Sequence, residues 1–526
     1  MKKLSIVLFV SLFVSIFLVS VAAETTITYA QRNALTDLDP AYGAYLLYPS
    51  GYEAAYCIFE GLVTFDEDLN FVPALATDWE VQEDGITWIF HLREAVEFHD
   101  GTPFDANAAL INFERGMDPK RTTTNRPLWD IWQSAKAISE YTFEAVTKEP
   151  SALVLNALAH GAGHMVSPKA IHDYADHPEH NPVGTGPYML EDFKVGEELT
   201  LVANSNYWGG RPEVDRLVFM YVPDISTRIN ALLVGEVDVI DNVPPHEAFR
   251  LNSNPDIQII SKAGLRPYTL NFLLEREVFQ DQLVRQALNY AVDKEGIASG
   301  LFLGYAKPAD SPLAFSTSGH TTTGYYDYDV SEAQALLAKA GWSDTDQDGV
   351  LDKNGVKFEF TIITPEGQWL LDLQVIEAIV AQWQAIGVQA NIMKVERSSF
   401  WGFLTVSPAE AEWDMAFFAF NPSNAAGHYH LDSCYSSNPD LESGPQAWNL
   451  SWFSNAEFDT LLGKAGQTAN ATARNALLAS AQEILWEECP SVWLVVPEII
   501  AATRIGVNVE LWPVSFTILK DASITQ

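Results

Sequence analysis

Hydrophobic and polar residues alternate along several short stretches of the chain, which is the pattern of a strand with one buried face. Residues 25–29 form the first such stretch, and residues 79–90 predict two strands joined by a turn at Glu83, Asp84 and Gly85. Beyond the middle of the chain, the same reasoning predicts strands over 358–364, 388–393 and 415–420.

Helical periodicity falls between these strands. Asp105 is a suitable N-cap for a helix through Arg115, and Gly235 is a suitable C-terminal residue for a helix over 225–234. Further helices are predicted over 283–292, 331–340, 371–386, 457–465 and 472–486. Helices and strands that alternate in this way favour an α/β fold.

The length and charge of the chain narrow the class of protein. Its 526 residues, 48% of them hydrophobic, are enough for two to four folded domains. There are 31 basic and 69 acidic residues, and the acidic ones are spread along the chain, giving a formal charge of −38. Such a charge disfavours binding to nucleic acid or to anionic lipid. It favours solubility, with selection of a cationic ligand as the alternative.

The first residues predict export. Lys2 and Lys3 precede an apolar run over 4–21, and small residues follow up to Ala23. This is the pattern of a secretory signal, so we expect cleavage after Ala23 and a soluble periplasmic or secreted protein. No later apolar run approaches the length of about 20 residues that a membrane-spanning helix needs.

Cys57, Cys434 and Cys489 allow at most one intramolecular disulfide, and their spacing contains no C-x-x-C element. The sequence does not select a pair. A metal or redox centre built on these cysteines has little support.

Nine short motifs follow one another along the chain. They are EGLVTF at 60–65, PALATDW at 73–79, TWIFHLR at 87–93, VEFHDGTPF at 96–104, PVGTGPY at 182–188, NSNYWGGRPEVD at 204–215, GEVDV at 235–239, VRQALNYAVD at 284–293 and YDVSEA at 328–333. In this order they resemble the large solute-binding proteins of bacterial ABC importers, the oligopeptide, dipeptide and nickel-binding group known as extracellular solute-binding family 5.

The resemblance implies a type II-like periplasmic binding fold with two lobes, a hinge and an extra domain of the peptide-binding class. After the signal at 1–23, a discontinuous first lobe would comprise 24–65, 185–265 and 500–526. The extra domain would comprise 66–184, and the opposing lobe 266–499. The hinge would lie where the chain crosses near 264–266 and 495–497. Most motif residues, such as Gly184, Gly186, Arg93, Asp100 and Asp215, are interpreted as structural.

The function implied is that of the solute-binding component of an ABC importer. Peptides or peptide-like solutes would bind between the lobes and favour their closure. The expected partners are the membrane subunits of the importer. We expect a monomer, because the cleft must open and close, and we expect no cofactor.

The ligand-binding residues are predicted around the strand at 413–420. Peptide-binding relatives place an aspartate shortly after it to hold the ligand's ammonium group, whereas this chain has Asp432 several positions later. The segment directly after the strand instead offers neutral hydrogen-bonding groups, those of Asn421, Ser423, Asn424 and His428.

Aromatic side chains complete the predicted site. Trp369, Trp401, Phe420, Tyr429 and Trp452 fall in segments expected near the cleft, where they could stack on sugar rings or pack apolar peptide side chains. Packing in an ordinary core is the alternative for each of them. They also keep an oligosaccharide carrier of the same family as an alternative function.

Metal sites are weaker candidates. His160 with His164, His177 with His180, and His428 with His430 each offer two nitrogen donors without a clear third ligand, and a nickel carrier would depend on the last pair. Asp344, Asp346, Asp348 and Asp352 resemble the start of a calcium loop, but Gly355 stands where a bidentate glutamate would be needed. A solvated turn is the alternative.

The sequence offers little for catalysis. It contains no G-x-S-x-G elbow, no phosphate-binding loop with its lysine and no H-E-x-x-H helix. We therefore predict that the protein is not an enzyme, with a secreted hydrolase as the alternative from another class.

Overall fold

The computed structural model describes residues 24–40, 49–120, 126–173, 182–324, 326–438 and 448–525. The segment predicted to be a signal, together with His177 and His180, lies outside these residues. Within them, no helix combines the length and the apolar character that crossing a membrane requires.

The strands of the described residues confirm the predicted strand regions, with small differences at their ends. In chain order they are β1 (Thr26–Gln31), β2 (Val63–Phe65), β3 (Phe71–Pro73), β4 (Ala76–Val81), β5 (Thr87–Leu92), β6 (Trp132–Ser139), β7 (Thr142–Thr147), β8 (Tyr188–Lys194), β9 (Glu198–Ala203), β10 (Arg216–Tyr221), β11 (Val239–Ile240), β12 (Ile257–Ala263), β13 (Thr269–Phe272), β14 (Ala306–Pro308), β15 (Asp352–Lys353), β16 (Val356–Lys357), β17 (Glu359–Glu366), β18 (Gln389–Glu396), β19 (Met415–Phe418), β20 (Ser491–Trp493), β21 (Val495–Arg504), β22 (Val507–Trp512) and β23 (Phe516–Ile524).

The helices also follow the predicted pattern. In chain order they are α1 (Pro49–Ile58), α2 (Ala106–Met117), α3 (Arg126–Asp130), α4 (Val154–Ala159), α5 (Pro168–Asp173), α6 (Ile225–Val234), α7 (Pro245–Leu251), α8 (Glu277–Gln280), α9 (Gln282–Tyr290), α10 (Lys294–Gly300), α11 (Val330–Lys339), α12 (Asp372–Gln384), α13 (Arg397–Leu404), α14 (Gly427–Tyr435), α15 (Ala456–Gly466) and α16 (Ala471–Glu488).

The predicted helix caps are confirmed. The Asp105 side chain accepts the N–H of Ala108 at the start of α2. At the end of α6, Gly235 has a φ of 79°, the left-handed conformation that glycine adopts without steric cost. The predicted helix over 371–386 is shorter at both ends, because Leu371 (φ 58°) and Gly387 (φ 83°) leave the helical conformation.

Two large sheets organise the molecule. The first has the order β12-β21-β11-β1-β10-β9-β8, in which β1 runs parallel to both of its neighbours. The second has the order β18-β17-β19-β13-β20, in which β17 runs parallel to β18 and β19. A smaller antiparallel sheet, β4-β5-β7-β6, lies in the region between β3 and β8.

Strand β21 connects two large units: the first contains the first large sheet and the smaller sheet, which share a core, and the second contains the second large sheet. Its first residues, Val495–Pro497, pair with β14, and the stretch from Glu498 to Arg504 pairs with β12. The neighbouring crossing is bonded to the same strand, since Gly264 donates its N–H to the Pro497 carbonyl and Tyr268 donates its N–H to the Val495 carbonyl.

Three hydrophobic cores lie on the two sides of this connection. One core consists of buried residues between Tyr268 and Val496. The other two consist mainly of residues before Leu265 and after Val496. Ala425 is an exception, because it comes from the second region yet packs in a core of the first.

The motif residues are structural, as expected, and two of the glycines are required by close packing rather than by a special backbone conformation. Neither Gly184 nor Gly186 has a positive φ. Both are required because the chain passes directly over the end of α1: a Cβ on Gly186 would lie 2.6 Å from the Cys57 carbonyl oxygen, and one on Gly184 would meet that of Ile58.

Polar motif residues fix backbone turns. Arg93 donates to the carbonyl of Ala74, Asp100 accepts from Thr102 and Ser167, and Asp215 accepts from Thr25. The three cysteines are buried and unpaired with one another.

The close approach at Gly186 gives a test of the fold. We expect Gly186→Ala to lower the free energy of unfolding by about 1–3 kcal/mol, because the neighbouring backbone cannot retreat as a flexible side chain could. Gly300→Ala is the matched control: nothing lies within 4 Å of its Cβ position, and alanine favours a helix. Urea denaturation of both variants measures the difference, and equal midpoints would contradict the close-approach argument.

Candidate functional site

Polar contacts join the two large units at several points. From α4, the Asn156 amide donates to the Asn424 carbonyl (2.6 Å). From the loop before α4, the Ala152 N–H donates to the Gly466 carbonyl (2.7 Å). The Asn421 amide donates to the Val514 carbonyl (3.1 Å). We call this set of contacts, with those of Ser423 below, the seam.

Tyr52, His160 and Ser423 meet at the centre of the seam. The His160 Nε2 lies 2.5 Å from the Tyr52 hydroxyl and 3.1 Å from the Ser423 hydroxyl. Its Nδ1 accepts the N–H of Ala162 (3.1 Å), so the neutral ring carries its proton on Nε2 and donates toward the hydroxyls. One imidazole therefore links α1, the end of α4 and the loop after β19.

Burial sets the protonation state of this cluster. It lowers the pKa of His160 to about 3, because the charged ring would lose its hydration. Burial also raises the pKa of the Tyr52 hydroxyl, which therefore stays protonated. At neutral pH the centre of the seam is therefore uncharged and held together by hydrogen bonds.

Four of the five predicted aromatic residues form a connected series in the second unit. Ring centroids are 6.3 Å apart for Trp369 and Trp401, 6.2 Å for Trp401 and Phe418, 6.5 Å for Phe418 and Phe420, and 5.8 Å for Phe420 and Tyr429. Trp401, Phe420 and Tyr429 are only half-buried even with the seam formed. We call Trp369, Trp401, Phe418, Phe420 and Tyr429 the aromatic series.

The other predicted residues divide into two groups. Asn421, Ser423 and Asn424 lie in the seam. His428 instead bonds the Leu462 carbonyl within its own unit (3.0 Å), and Trp452, buried with a φ of 56°, belongs to none of the ring pairs among the described residues.

The nickel hypothesis on His428 and His430 gains no geometric support. The two residues are two positions apart on α14 and so point in different directions. His428 bonds the Leu462 carbonyl, whereas the ring of buried His430 packs edge-on against Phe420 (5.2 Å).

The calcium-loop residues are only partly assembled. Asp344, Asp346 and Asp348 place carboxylate oxygens within 4.8 Å of one another on the exposed surface. The Lys357 ammonium already pairs with Asp346 (2.6 Å) and Asp348 (2.9 Å). Asp352 is buried and accepts hydrogen bonds from Thr345. This arrangement is typical of an ion-paired turn.

Sequence reasoning missed Tyr52, Asn156, Arg32 and Arg397. The last two line one pocket and make further contacts between the units: Arg397 donates to the Asn33 side chain (3.4 Å) and Arg32 to the Gly367 carbonyl. The sequence did contain a signal for the two arginines, because Arg32 directly follows β1 and Arg397 directly follows β18. In α/β sheets, ligands bind beyond the carboxyl ends of parallel strands.

Comparisons with known proteins agree with this architecture. The model of bacterial extracellular solute-binding proteins, family 5, matches residues 70–441. Glutathione-binding protein GsiB of Pectobacterium atrosepticum is 26% identical over 478 residues, which is 90% of this chain and 89% of that protein.

Solved structures show the same fold. HbpA2 of Haemophilus parasuis superposes with a TM-score of 0.81 at 23% identity, over 95% of this chain and 100% of that one. The periplasmic binding protein DppA of Helicobacter pylori, in complex with the peptide STSA, gives 0.75 at 24% identity, over 95% and 98%. The predicted type II-like fold is thus confirmed, and the chain belongs to the bacterial extracellular solute-binding proteins of family 5, the transport components predicted from its motifs.

Proposed function

We propose that this protein binds a peptide or peptide-like solute between its two units and presents it to the membrane subunits of an ABC importer. The observation that carries the proposal is the seam, where groups from α1, α4 and the loop after β19 converge beside the aromatic series. Relatives named for glutathione and a neighbour holding the peptide STSA support this solute class.

The units correspond to the lobes that we propose. The first lobe would comprise 24–65, 185–265 and 500–526, the extra domain 66–184, and the opposing lobe 266–499. Support comes from the sheets, since β8 to β12 belong to the first large sheet and β4 to β7 form the small one. The hinge would lie at 264–266 and 495–497, where β21 is bonded on both sides.

The seam and the aromatic series would divide the binding work. Amide and hydroxyl groups of Asn421, Ser423 and Asn424 can exchange their contacts across the seam for contacts with a peptide backbone. The half-buried faces of Trp401 and Phe420 can pack apolar side chains. An ammonium group would have to be bound without an aspartate in the segment 421–431.

The remaining parts of the proposal concern the state of the protein in the cell. It would act in the periplasm or outside the cell after cleavage following Ala23, as a monomer and without catalysis. The aromatic series keeps an oligosaccharide as the second candidate solute, because aromatic faces also stack on sugar rings.

Native mass spectrometry of protein purified without denaturation tests the solute class. We expect co-purifying masses that fragment as peptides. X-ray scattering before and after removal of that solute should show a larger radius of gyration for the emptied protein. Hexose-spaced masses would replace the peptide proposal with the oligosaccharide one, and turnover of the bound molecule would point to a hydrolase.

The aromatic series makes a mutational prediction. We expect Trp401→Ala and Phe420→Ala each to weaken binding of the co-purified solute by about 10- to 100-fold, because each loses a large packing surface. Phe420→Leu, which keeps bulk, should lose less. Phe249→Ala is the control, since this side chain is 70% exposed on α7. Titration calorimetry measures the affinities, and unchanged values for both alanine variants would remove the series from the site.

His160 makes binding dependent on pH. When the lobes separate, we expect water to reach the ring and its pKa to return toward the ordinary value of about 6.5, whereas burial lowers it to about 3 with the seam formed. Between these values the open form binds the extra proton. Each pH unit below about 6.5 should therefore weaken solute-induced closure by up to about tenfold.

Calorimetry at pH 7.5, 6.0 and 5.0 checks this dependence. The His160→Gln variant has no titrating ring. It should bind the solute less tightly at pH 7.5, but it should lose the part of the fall in affinity at lower pH that depends on His160. The matched control is His246→Gln, an exposed histidine at the start of α7. An identical pH profile for wild type and His160→Gln would rule out His160 as its cause.

A further inference from the structure

A pocket of about 400 Å³ lies between the residues after β1 and the start of α13. Two guanidinium groups line it, those of Arg32 and Arg397. Asn33, Thr36 and Tyr221 add an amide and two hydroxyl groups. In the described part of the chain, no carboxylate is among its lining groups. Every charged group on the pocket wall is therefore cationic.

This wall contrasts with the rest of the molecule. The chain carries 69 acidic and 31 basic residues, so a polar pocket of average composition would contain more acids than bases. The two arginines also come from different units, one after β1 in the first large sheet and one after β18 in the second. The positive character is therefore created only when the units come together.

The two arginines repel each other in this structure. Burial and the neighbouring Arg397 lower the pKa of the Arg32 guanidinium from its ordinary value. Two carboxylates lie near Arg32, but each has other partners. Asp241 accepts the Arg32 backbone N–H and lies 3.4 Å from Arg228, and Asp372 accepts backbone N–H groups of the 367–369 turn.

We propose that this pocket receives a carboxylate of the transported solute, and that the carboxylate makes closure favourable by lying between Arg32 and Arg397. The inference rests on the proposed solute-binding function and adds the chemical class of the solute. Arginine suits the task because its planar group donates two parallel hydrogen bonds to a carboxylate. The Asn33 amide is a further donor on the same wall.

The overall charge of the protein limits the solute further. A field of formal charge −38 repels free anions and slows their approach. A zwitterion carries no net charge and escapes most of this repulsion, while its carboxylate still meets the arginines in the pocket. The best-suited solute is therefore a small zwitterionic or weakly anionic peptide, which differs from the cationic ligand that the overall charge alone would favour.

Two pairs of probes test the carboxylate requirement. They are reduced glutathione with its diethyl ester, and trialanine with trialanine amide. Calorimetry is run on wild type, Arg32→Gln, Arg397→Gln and Arg250→Gln, the last being an exposed arginine on α7 that pairs with Glu247. We expect wild type and Arg250→Gln to prefer the free acid of at least one pair by about tenfold or more.

The pocket variants should lose that preference. We expect Arg32→Gln and Arg397→Gln to weaken binding of the free acid by about 10- to 100-fold, and to leave the masked probe nearly unaffected. Arg397→Lys should restore part of the affinity. Retention of the wild-type preference by both glutamine variants would overturn the proposal.

A measurement without solute separates this proposal from the wider one. Arg397→Gln removes one positive charge, which favours closure, and also the long Arg397–Asn33 hydrogen bond (3.4 Å), which contributes little. X-ray scattering of emptied Arg397→Gln should therefore give a smaller radius of gyration than emptied wild type. An unchanged radius would overturn the repulsion argument. If wild type binds none of the four probes, the small zwitterionic solute proposed here is ruled out, whereas the wider peptide proposal is decided by the co-purified solute. The scattering result still decides whether the arginine pair opposes closure.

Discussion

Strand β21 is the constraint on which the rest of the structure depends. Its first three residues pair with β14, and its following residues pair with β12 in the first large sheet. The second crossing, at Gly264, is bonded to this strand through the Pro497 carbonyl. Because both crossings are tied together at one place, the two units are connected there by hydrogen-bonded backbone and elsewhere by contacts that can separate.

The seam is suited to such separation because it is polar. A hydrogen bond inside a protein contributes only about 0.5–1.5 kcal/mol net, since water satisfies the same groups when they part. The seam contains individual hydrogen bonds of this kind, made by Asn156, by Asn421 and between His160 and Ser423. Ala425 adds a small apolar contact. A closed form held this weakly can be shifted by the binding energy of one small solute.

The arginine pair works against these bonds. Arg32 and Arg397 approach each other only when the units meet, where Arg32 donates to the Gly367 carbonyl and Arg397 to the Asn33 side chain. Neutral contacts favour closure, and the like charges of Arg32 and Arg397 oppose it. The equilibrium between the open and closed forms therefore depends on what lies between the two arginines. This balance explains how a strongly acidic protein can use a cationic pocket as a switch for its solute.

The sequence by itself determined the elements and the family. Asp105, Gly235 and the alternation at 86–90 act through neighbours a few residues away, and the ordered motifs need no coordinates. It also grouped Phe420, Asn421, Ser423, Asn424 and Tyr429 in one region, because they all follow the strand β19. Only the tertiary structure decided their partners. Tyr52 and His160 lie hundreds of residues from Ser423, Arg32 and Arg397 are separated by most of the chain, and chain order does not encode a distance between side chains that folding brings together.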